Sequence, residues 1–366
     1  MFTVFSLLAA ADKLHEQLKQ PLRPQEPKQI NSYGVEEVEY SNLEASNTLA
    51  GTLTLPKVSI PSPAVILIAG SGPVDRDESV FGHKPFLVLA DYLTKQGIAV
   101  LRVDKRGVGK STGDYRTSTS EDLAYDVLAG IEFLKTREEV DKKKIGLIGH
   151  SEGGLIAPMV AIKSNDVTFT VLMAGTGVTG EAIVYEQEVM LSRSMRIDNE
   201  QLGLQLDLQK QVISLIKNEY DLEKAERMLL KIIEAHLAHY PKKDREISTD
   251  NIEAQIKRCN SKWFRYYLTY DPTHSLKHLK IPVLAVNGEL DLQVSSKQNL
   301  SVIAKTLEKA GNQNYKIIEF PQLNHFFQTC ESGSILEYPK IEETIAPIVL
   351  ETLSDWILET TSNISS

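Results

Sequence analysis

The chain has 366 residues, of which 42% are hydrophobic, and its 40 Lys and Arg residues are outnumbered by 49 Asp and Glu residues, for a net charge of −9. This length suits one large α/β domain with an insertion, or two ordinary domains. The acidic balance excludes the basic surface expected of a nucleic-acid-binding protein, and no run of about 18 apolar residues predicts a transmembrane span.

The first predicted element is a short amphipathic helix that runs from the N-terminus to about Leu18. The segment MFTVFSLLAAAD resembles the apolar core of an export signal, but no basic residue precedes it,. A cytoplasmic location is therefore favoured over export. Residues 1–30 are predicted to form this helix and a linker, because three prolines lie among polar residues between Pro21 and Gln29,.

The strand patterns that follow predict a mostly parallel sheet. Two alternating segments, Val35 to Tyr40 and Thr48 to Pro56, indicate an antiparallel pair at a sheet edge. Short, continuous apolar runs then indicate strands buried on both faces. These runs are AVILIAG (64–70), IAVLRVD (98–104), KIGLIGH (144–150), FTVLMAG (169–175) and IPVLAVNG (281–288), with a further strand at YKIIEF (315–320).

Helical patterns alternate with these strands. One covers residues 86–97, and another covers residues 121–136 with Ser120 as its predicted N-cap,. Strands that alternate with helices are typical of a doubly wound α/β sheet.

The interval from residue 177 to residue 272 departs from this alternation. It lacks strand-like runs and contains helix-favouring segments such as Leu222 to Tyr240. An insertion between two parallel strands is predicted to cap the carboxyl edge of the sheet, where open α/β sheets bind ligands. The predicted division is therefore a core of residues 31–176 and 273–366 with a helical cap at residues 177–272.

A serine follows the third of the buried strands in a glycine-rich turn. Residues Gly149 to Gly153 match G-x-S-x-G, with a strand before and a helix-compatible segment after,. A nucleophile on a strained strand-to-helix turn needs glycine neighbours, because the flanking chains approach closely. The helix N-terminus beside it favours developing negative charge. Ser151 is therefore predicted to be a nucleophile.

A serine nucleophile needs a base and a carboxylate that orients the base, in the chain order Ser, Asp/Glu, His. The turn after IPVLAVNG offers Glu289 and Asp291 as the carboxylate. The turn after YKIIEF offers His325 as the base. Both turns follow neighbouring strands, so their side chains are expected to converge on Ser151.

Acyl transfer also needs backbone N–H groups directed at the developing oxyanion. One is expected from Glu152, the residue after the nucleophile. The second is expected from the loop after AVILIAG, where Ser71 or Gly72 can present an N–H group.

No metal or nucleotide site is predicted. The segment GVGKST lacks the first glycine of a phosphate-binding loop, because position 104 is Asp,. His236 and His239 have no evident third ligand, and Cys259 and Cys330 have no metal-ligand spacing,.

Six segments together resemble a group of bacterial serine esterases of the α/β-hydrolase superfamily. They are GSGPVDRD (70–77), DKRGVGKSTG (104–113), GHSEGG (149–154), YDP (270–272), NGELDLQV (287–294) and LNHFFQ (323–328), in order over about residues 35 to 358. The resemblance implies an α/β-hydrolase fold and a carboxylesterase that favours short acyl chains and requires no cofactor. It also implies Ser151 as nucleophile, His325 as base and Asp291, rather than Glu289, as the residue that orients the base.

The expected substrate is a small-molecule ester, and the protein is expected to be a monomer or a homodimer. A thioesterase or a peptidase would use the same three side chains on another acyl bond. A non-catalytic binding protein that keeps the fold is the alternative from another class of function.

Overall fold

The computed structural model describes residues 2–18, 22–28, 32–58, 60–239 and 249–364. Pro21 and Gln29 of the predicted linker, and Tyr240 at the end of a predicted cap helix, lie outside the described residues. No helix in the described ranges has the length and apolar character needed to cross a membrane.

In the described part of the chain, eight strands form one sheet in the order β1-β2-β4-β3-β5-β6-β7-β8. The strands are β1 (Tyr33–Asn42), β2 (Asn47–Pro56), β3 (Ser62–Ile68), β4 (Ala99–Val103), β5 (Val140–His150), β6 (Val167–Met173), β7 (Val283–Gly288) and β8 (Tyr315–Phe320). β2 pairs antiparallel with β1 and β4, whereas the remaining neighbours are parallel. The predicted antiparallel edge and the mostly parallel sheet are therefore confirmed.

Helices precede, connect and follow these strands. They are α1 (Phe2–Gln17), α2 (Pro85–Lys95), α3 (Ser120–Lys135), α4 (Glu152–Ala161), α5 (Gly180–Ser194), α6 (Asn199–Asn218), α7 (Leu222–Leu237), α8 (Thr249–Cys259), α9 (Lys262–Thr269), α10 (Thr273–Leu276), α11 (Ser296–Lys309) and α12 (Pro347–Ser362). Short 3₁₀ helices cover Tyr115–Thr117 and Ile335–Lys340.

Both faces of the parallel strands are buried. In β3, the successive residues Val65 and Ile66 point to opposite faces and belong to two different hydrophobic clusters,. Helices α3, α4 and α11 contribute to one cluster, and α2 and α12 contribute to the other. Because helices cover both faces, the strands are continuous apolar runs rather than alternating ones.

The N-cap of α3 is Thr119, so the prediction of Ser120 was wrong by one residue. The Thr119 hydroxyl accepts a hydrogen bond from the N–H of Asp122, and the Asp122 carboxylate accepts one from the N–H of Thr119. A capping box needs a side-chain acceptor three residues after the N-cap. Asp122 stands at that distance from Thr119 but not from Ser120. Ser120 is instead the first residue of the helix, and its hydroxyl is available for another partner.

The helices α5 to α9 lie between β6 and β7 in the chain. Helix α9 packs against α5, α6 and α8, and it also contacts α3 and the 3₁₀ helix Tyr115–Thr117 that follows β4. The aromatic residues Trp263, Phe264 and Tyr267 of α9 are buried. These contacts bring the aromatic side of α9 to the loops beyond the carboxyl ends of the strands.

Candidate active site

Ser151 lies in a strained turn between β5 and α4. Its φ of 54° and ψ of −116° are unfavourable for a residue with a side chain,. The turn is held by the neighbouring strand β6, because the N–H of Ser151 donates to the carbonyl of Met173 at 2.8 Å. A Cβ at Gly149 would overlap the carbonyl of Gly153, and a Cβ at Gly153 would overlap the carbonyl of Ile68. The two glycines of the motif are therefore required by close backbone approach.

His325 and Asp291 form a buried pair next to this turn. His325 Nδ1 lies 2.7 Å from Asp291 Oδ2, and the two residues are 3% and 2% exposed. The other carboxylate oxygen, Oδ1, accepts hydrogen bonds from the N–H groups of Gln293 and Val294 at 2.8 and 2.9 Å. Both oxygens of Asp291 are thus occupied, and one is directed at the histidine.

The alternative carboxylate, Glu289, points elsewhere. It is exposed, and its Oε2 accepts a hydrogen bond from the N–H of Gln322 at 3.2 Å. Of the two acidic residues that the sequence offers after β7, only Asp291 is in contact with His325.

Ser151 and His325 line the same cavity, which has a volume of about 250 Å³. Nδ1 of His325 is occupied by Asp291, so Nε2 is the ring nitrogen left for the serine. Among the described residues, no hydrogen bond joins the two side chains, and such contacts often tighten only when substrate binds,. The insertion contributes Ile183, Val184, Trp263, Phe264 and Tyr267 to the wall of the cavity, together with the polar residues Gln187 and Arg258.

The three candidate oxyanion donors differ in whether their N–H groups are already used. Gly72 donates its N–H to the hydroxyl of Tyr115 at 2.8 Å. The N–H groups of Ser71 and Glu152 have no hydrogen-bond acceptor within the part of the chain that the structure describes. Gly70, the residue before Ser71, lies against Ser151. The pair left for an oxyanion is therefore Ser71 and Glu152.

Two side chains that the sequence analysis did not single out hold the loop of Gly70 and Ser71 in place. Glu78 Oε1 accepts from the N–H of Gly70 at 2.6 Å, and the ammonium group of Lys105 donates to the carbonyl of Gly70. Burial lowers the pKa of Lys105 and outweighs the opposing effect of nearby carboxylates, of which Glu152 is the first,. Both side chains lie in segments that the resemblance includes or adjoins, but nothing in the sequence indicates which loop they bind.

His150, the residue before the candidate nucleophile, forms a second buried pair. Its Nδ1 lies 2.9 Å from Glu78 Oε1, and its Nε2 lies 3.0 Å from the backbone carbonyl of His325. Burial opposes protonation, but the charge of Glu78 and the hydrogen bonds to both ring nitrogens outweigh it and raise the pKa of His150,. The pair therefore joins the loop of Gly70 to the loop of His325.

No group of three or more His, Cys, Asp or Glu side chains is arranged to hold a metal ion in the described ranges. Ser151, His325 and Ser71 line the cavity, and the N–H groups of Ser71 and of Glu152, the residue after Ser151, have no acceptor among the described residues. These are the groups that nucleophilic acyl transfer uses.

Comparison with known proteins identifies similar sequences and folds. A family described as serine aminopeptidase, S33 (Hydrolase_4), matches residues 84–329. The esterase EstD of Thermotoga maritima is 28% identical over 314 residues, which are 86% of this chain and 66% of EstD. The chain thus spans just under two thirds of the length of that relative.

Two solved structures share the fold at low identity. The Pyrococcus furiosus esterase Pf2001 superposes with a TM-score of 0.54 at 16% identity, over 90% of this chain and 92% of its own. The α/β-hydrolase GrgF from Penicillium has a TM-score of 0.56 at 16% identity, over 90% and 99% of the two chains. The predicted α/β-hydrolase fold is therefore confirmed.

Proposed function

Because this chain belongs to the hydrolase family described as serine aminopeptidase, S33, we propose that it is a serine esterase that cleaves carboxylic esters through an acyl-enzyme on Ser151. The observation that carries this proposal is the 2.7 Å contact between His325 and Asp291 beside the cavity that Ser151 lines. The names of EstD and Pf2001, both esterases, support the choice of ester as the bond cleaved.

In the proposed mechanism, Ser151 Oγ attacks the acyl carbon while His325 Nε2 accepts its proton. Asp291 holds the ring and stabilises the imidazolium that forms. The N–H groups of Glu152 and Ser71 bind the oxyanion of the tetrahedral intermediate. His325 then protonates the leaving alcohol and activates a water that hydrolyses the acyl-enzyme. No step needs a metal or an organic cofactor.

We further propose that residues 177–272 act as a cap that selects the acyl group. The cavity of about 250 Å³ is smaller than the roughly 300–1,000 Å³ typical of sites for drug-sized ligands,. Helices α5 and α9 contribute aliphatic and aromatic side chains to its wall. The small volume of the cavity supports a preference for short acyl chains.

A peptidase is the second candidate, because the family description names an aminopeptidase. It would use the same nucleophile and base on an amide. Hydrolysis of aminoacyl p-nitroanilides by the wild-type protein, at a rate that exceeds hydrolysis of the matching esters, would favour the peptidase.

The test compares wild type with Ser151→Ala on p-nitrophenyl esters from acetate to long acyl chains. We expect turnover of the short esters and a loss of about 10⁴-fold in the variant. Ser301→Ala, which removes an exposed hydroxyl on α11, serves as the matched control and should keep full activity. A fluorophosphonate should label wild type and not Ser151→Ala. If the fluorophosphonate does not label wild type and the esters are not hydrolysed, the protein is a non-catalytic binding protein.

A further inference from the structure

The residue after the proposed nucleophile carries a buried carboxylate with an unusual set of partners. Glu152 is 1% exposed. Its Oε1 accepts hydrogen bonds from the Ser120 hydroxyl and from the Trp263 indole N–H, each at 2.6 Å. Its Oε2 has no hydrogen-bond partner and lies 3.8 Å from the Lys105 ammonium group. Burying a carboxylate with one oxygen left without a hydrogen bond costs stability, so packing alone does not account for it.

These partners come from three separate parts of the fold. Ser120 begins α3, Lys105 follows β4, and Trp263 belongs to α9 of the insertion. Ser120 is free for this bond because Thr119 caps α3 instead. Lys105 also donates to the carbonyl of Gly70, the residue before Ser71. The Glu152 carboxylate therefore connects three parts of the site. They are the loop of Ser71, the helix α4 that begins with Glu152 itself, and the insertion.

Trp263 also forms part of the cavity wall. Its ring lines the cavity that contains Ser151, and it stacks on Tyr267 with ring centroids 5.4 Å apart. The hydrogen bond from its indole N–H ends on Glu152, the residue whose backbone N–H is one of the two proposed oxyanion donors. A displacement of Trp263 therefore acts directly on the residue that presents this donor.

We propose that Glu152 is a positioning residue whose carboxylate fixes the Trp263 wall of the insertion relative to the two oxyanion donors. This inference rests on the proposed esterase function. It predicts that binding of the acyl group against Trp263 and stabilisation of the oxyanion are linked through one side chain. Breaking that link should weaken transition-state stabilisation more than ground-state binding.

Two substitutions test the link from its two ends. Glu152→Gln keeps the size and an acceptor but removes the charge that faces Lys105. Trp263→Phe keeps an aromatic ring but removes the donor to Glu152. We expect kcat on p-nitrophenyl acetate to fall by about 10- to 100-fold in the first and about tenfold in the second, with KM within about threefold. The double variant should lose less than the product of the two factors, because both act on one interaction.

The matched control is Trp356→Phe, the same substitution at the other tryptophan, which is partly buried on α12, packs against Phe169 and does not line the cavity. It should keep kcat within about twofold. The second readout is inhibition by a trifluoromethyl ketone, which forms a tetrahedral adduct with an oxyanion. We expect the inhibition constant to rise in Glu152→Gln and Trp263→Phe by about the factor lost in kcat/KM, since loss of folded protein alone does not change it.

The outcomes separate this inference from the proposed function. If Ser151→Ala is inactive while Glu152→Gln and Trp263→Phe keep wild-type kcat and inhibitor affinity, Glu152 has no positioning role and the esterase proposal stands. If Glu152→Gln does not fold, Trp263→Phe alone tests the proposed link. An unchanged inhibition constant in that variant would contradict the link. If wild type is neither active nor labelled by a fluorophosphonate, both proposals are wrong.

Discussion

Two histidine–carboxylate pairs lie side by side in this protein, and they differ in what the second ring nitrogen contacts. The pairs are His325 with Asp291 and His150 with Glu78, and in both pairs Nδ1 faces the carboxylate, at 2.7 and 2.9 Å. Both histidines are 3% exposed, and their ring centroids are 4.8 Å apart. Both rings line the cavity with Ser151, but Nε2 of His150 is bound to the carbonyl of His325, whereas Nε2 of His325 has no hydrogen-bond partner among the described residues.

This difference shows that a buried histidine–carboxylate pair is not by itself a catalytic device. A general base must reach the proton it removes, so a ring with both nitrogens occupied by protein can only position other groups. His150 is next to Ser151 in the chain, yet its ring is committed to Glu78 and to the loop of His325. The histidine that is more distant in the sequence is the one whose Nε2 is left without a partner among the described residues.

The largest effect on turnover is expected when the pair of His325 and Asp291 is broken. Asp291→Asn should lower kcat for short esters by about 10³-fold or more, because the amide no longer stabilises the imidazolium or its tautomer. Steady-state kinetics on p-nitrophenyl acetate measures this. Glu289→Gln is the matched control and should stay within about twofold, since Glu289 binds the N–H of Gln322 instead,. A larger loss in Glu289→Gln than in Asp291→Asn would reverse the assignment of the two carboxylates.

An intermediate effect is expected when the second pair is broken. His150→Asn keeps an amide near Glu78 but loses the donor to the carbonyl of His325. We expect kcat to fall by about tenfold and the free energy of unfolding to fall by about 1–3 kcal/mol. Urea denaturation and kinetics on the same samples measure both quantities. A loss of kcat as large as that of Asp291→Asn would mean that His150 takes part in the chemistry.

The smallest effect on turnover is expected at a third buried histidine, His83. Its Nδ1 contacts the Thr344 hydroxyl at 3.0 Å, and its Nε2 lies 3.0 Å from the side-chain amide nitrogen of Gln328. Burial, assisted by the charge of Arg23, lowers the pKa of His83 to about 4. Nε2 also lies 3.2 Å from the backbone carbonyl of Tyr338, a contact that raises the pKa but is outweighed by burial,.

The pH dependence of stability follows from this lowered pKa. The unfolded chain takes up the proton near the ordinary histidine pKa of about 6.5, whereas the folded chain resists protonation until about pH 4,. Neutral His83 therefore contributes to the free energy of unfolding above pH 6.5, and this contribution is lost as the pH falls towards 4. The loss is at most about 3 kcal/mol.

His83→Asn should flatten this part of the curve of unfolding free energy against pH, while kcat at pH 7 stays within about twofold. His278→Asn, at an exposed position, serves as the control and should leave the curve as in wild type. Identical slopes for wild type and His83→Asn between pH 4 and 6.5 would show that His83 is not held neutral by the fold.

Local patterns were sufficient to predict the sheet. The continuous apolar runs from residue 64 to residue 320 are strands in the structure, because helices cover both faces,. The alternating segments at Val35 and Thr48 are the antiparallel edge. The N-cap of α3 was wrong by one residue, since two adjacent hydroxyl residues can both cap and only the position of Asp122 decides between them,.

Local periodicity and glycine placement were enough to predict which segments form strands and helices along the chain, the serine turn, and the strand ends where its candidate partners lie. The packing of distant segments was needed to learn which carboxylate contacts His325, which N–H groups remain free, and that Lys105 and Trp263 both contact Glu152. Those contacts join residues from separate loops and helices, and no local pattern encodes which buried polar groups satisfy one another once the sheet and the insertion pack together.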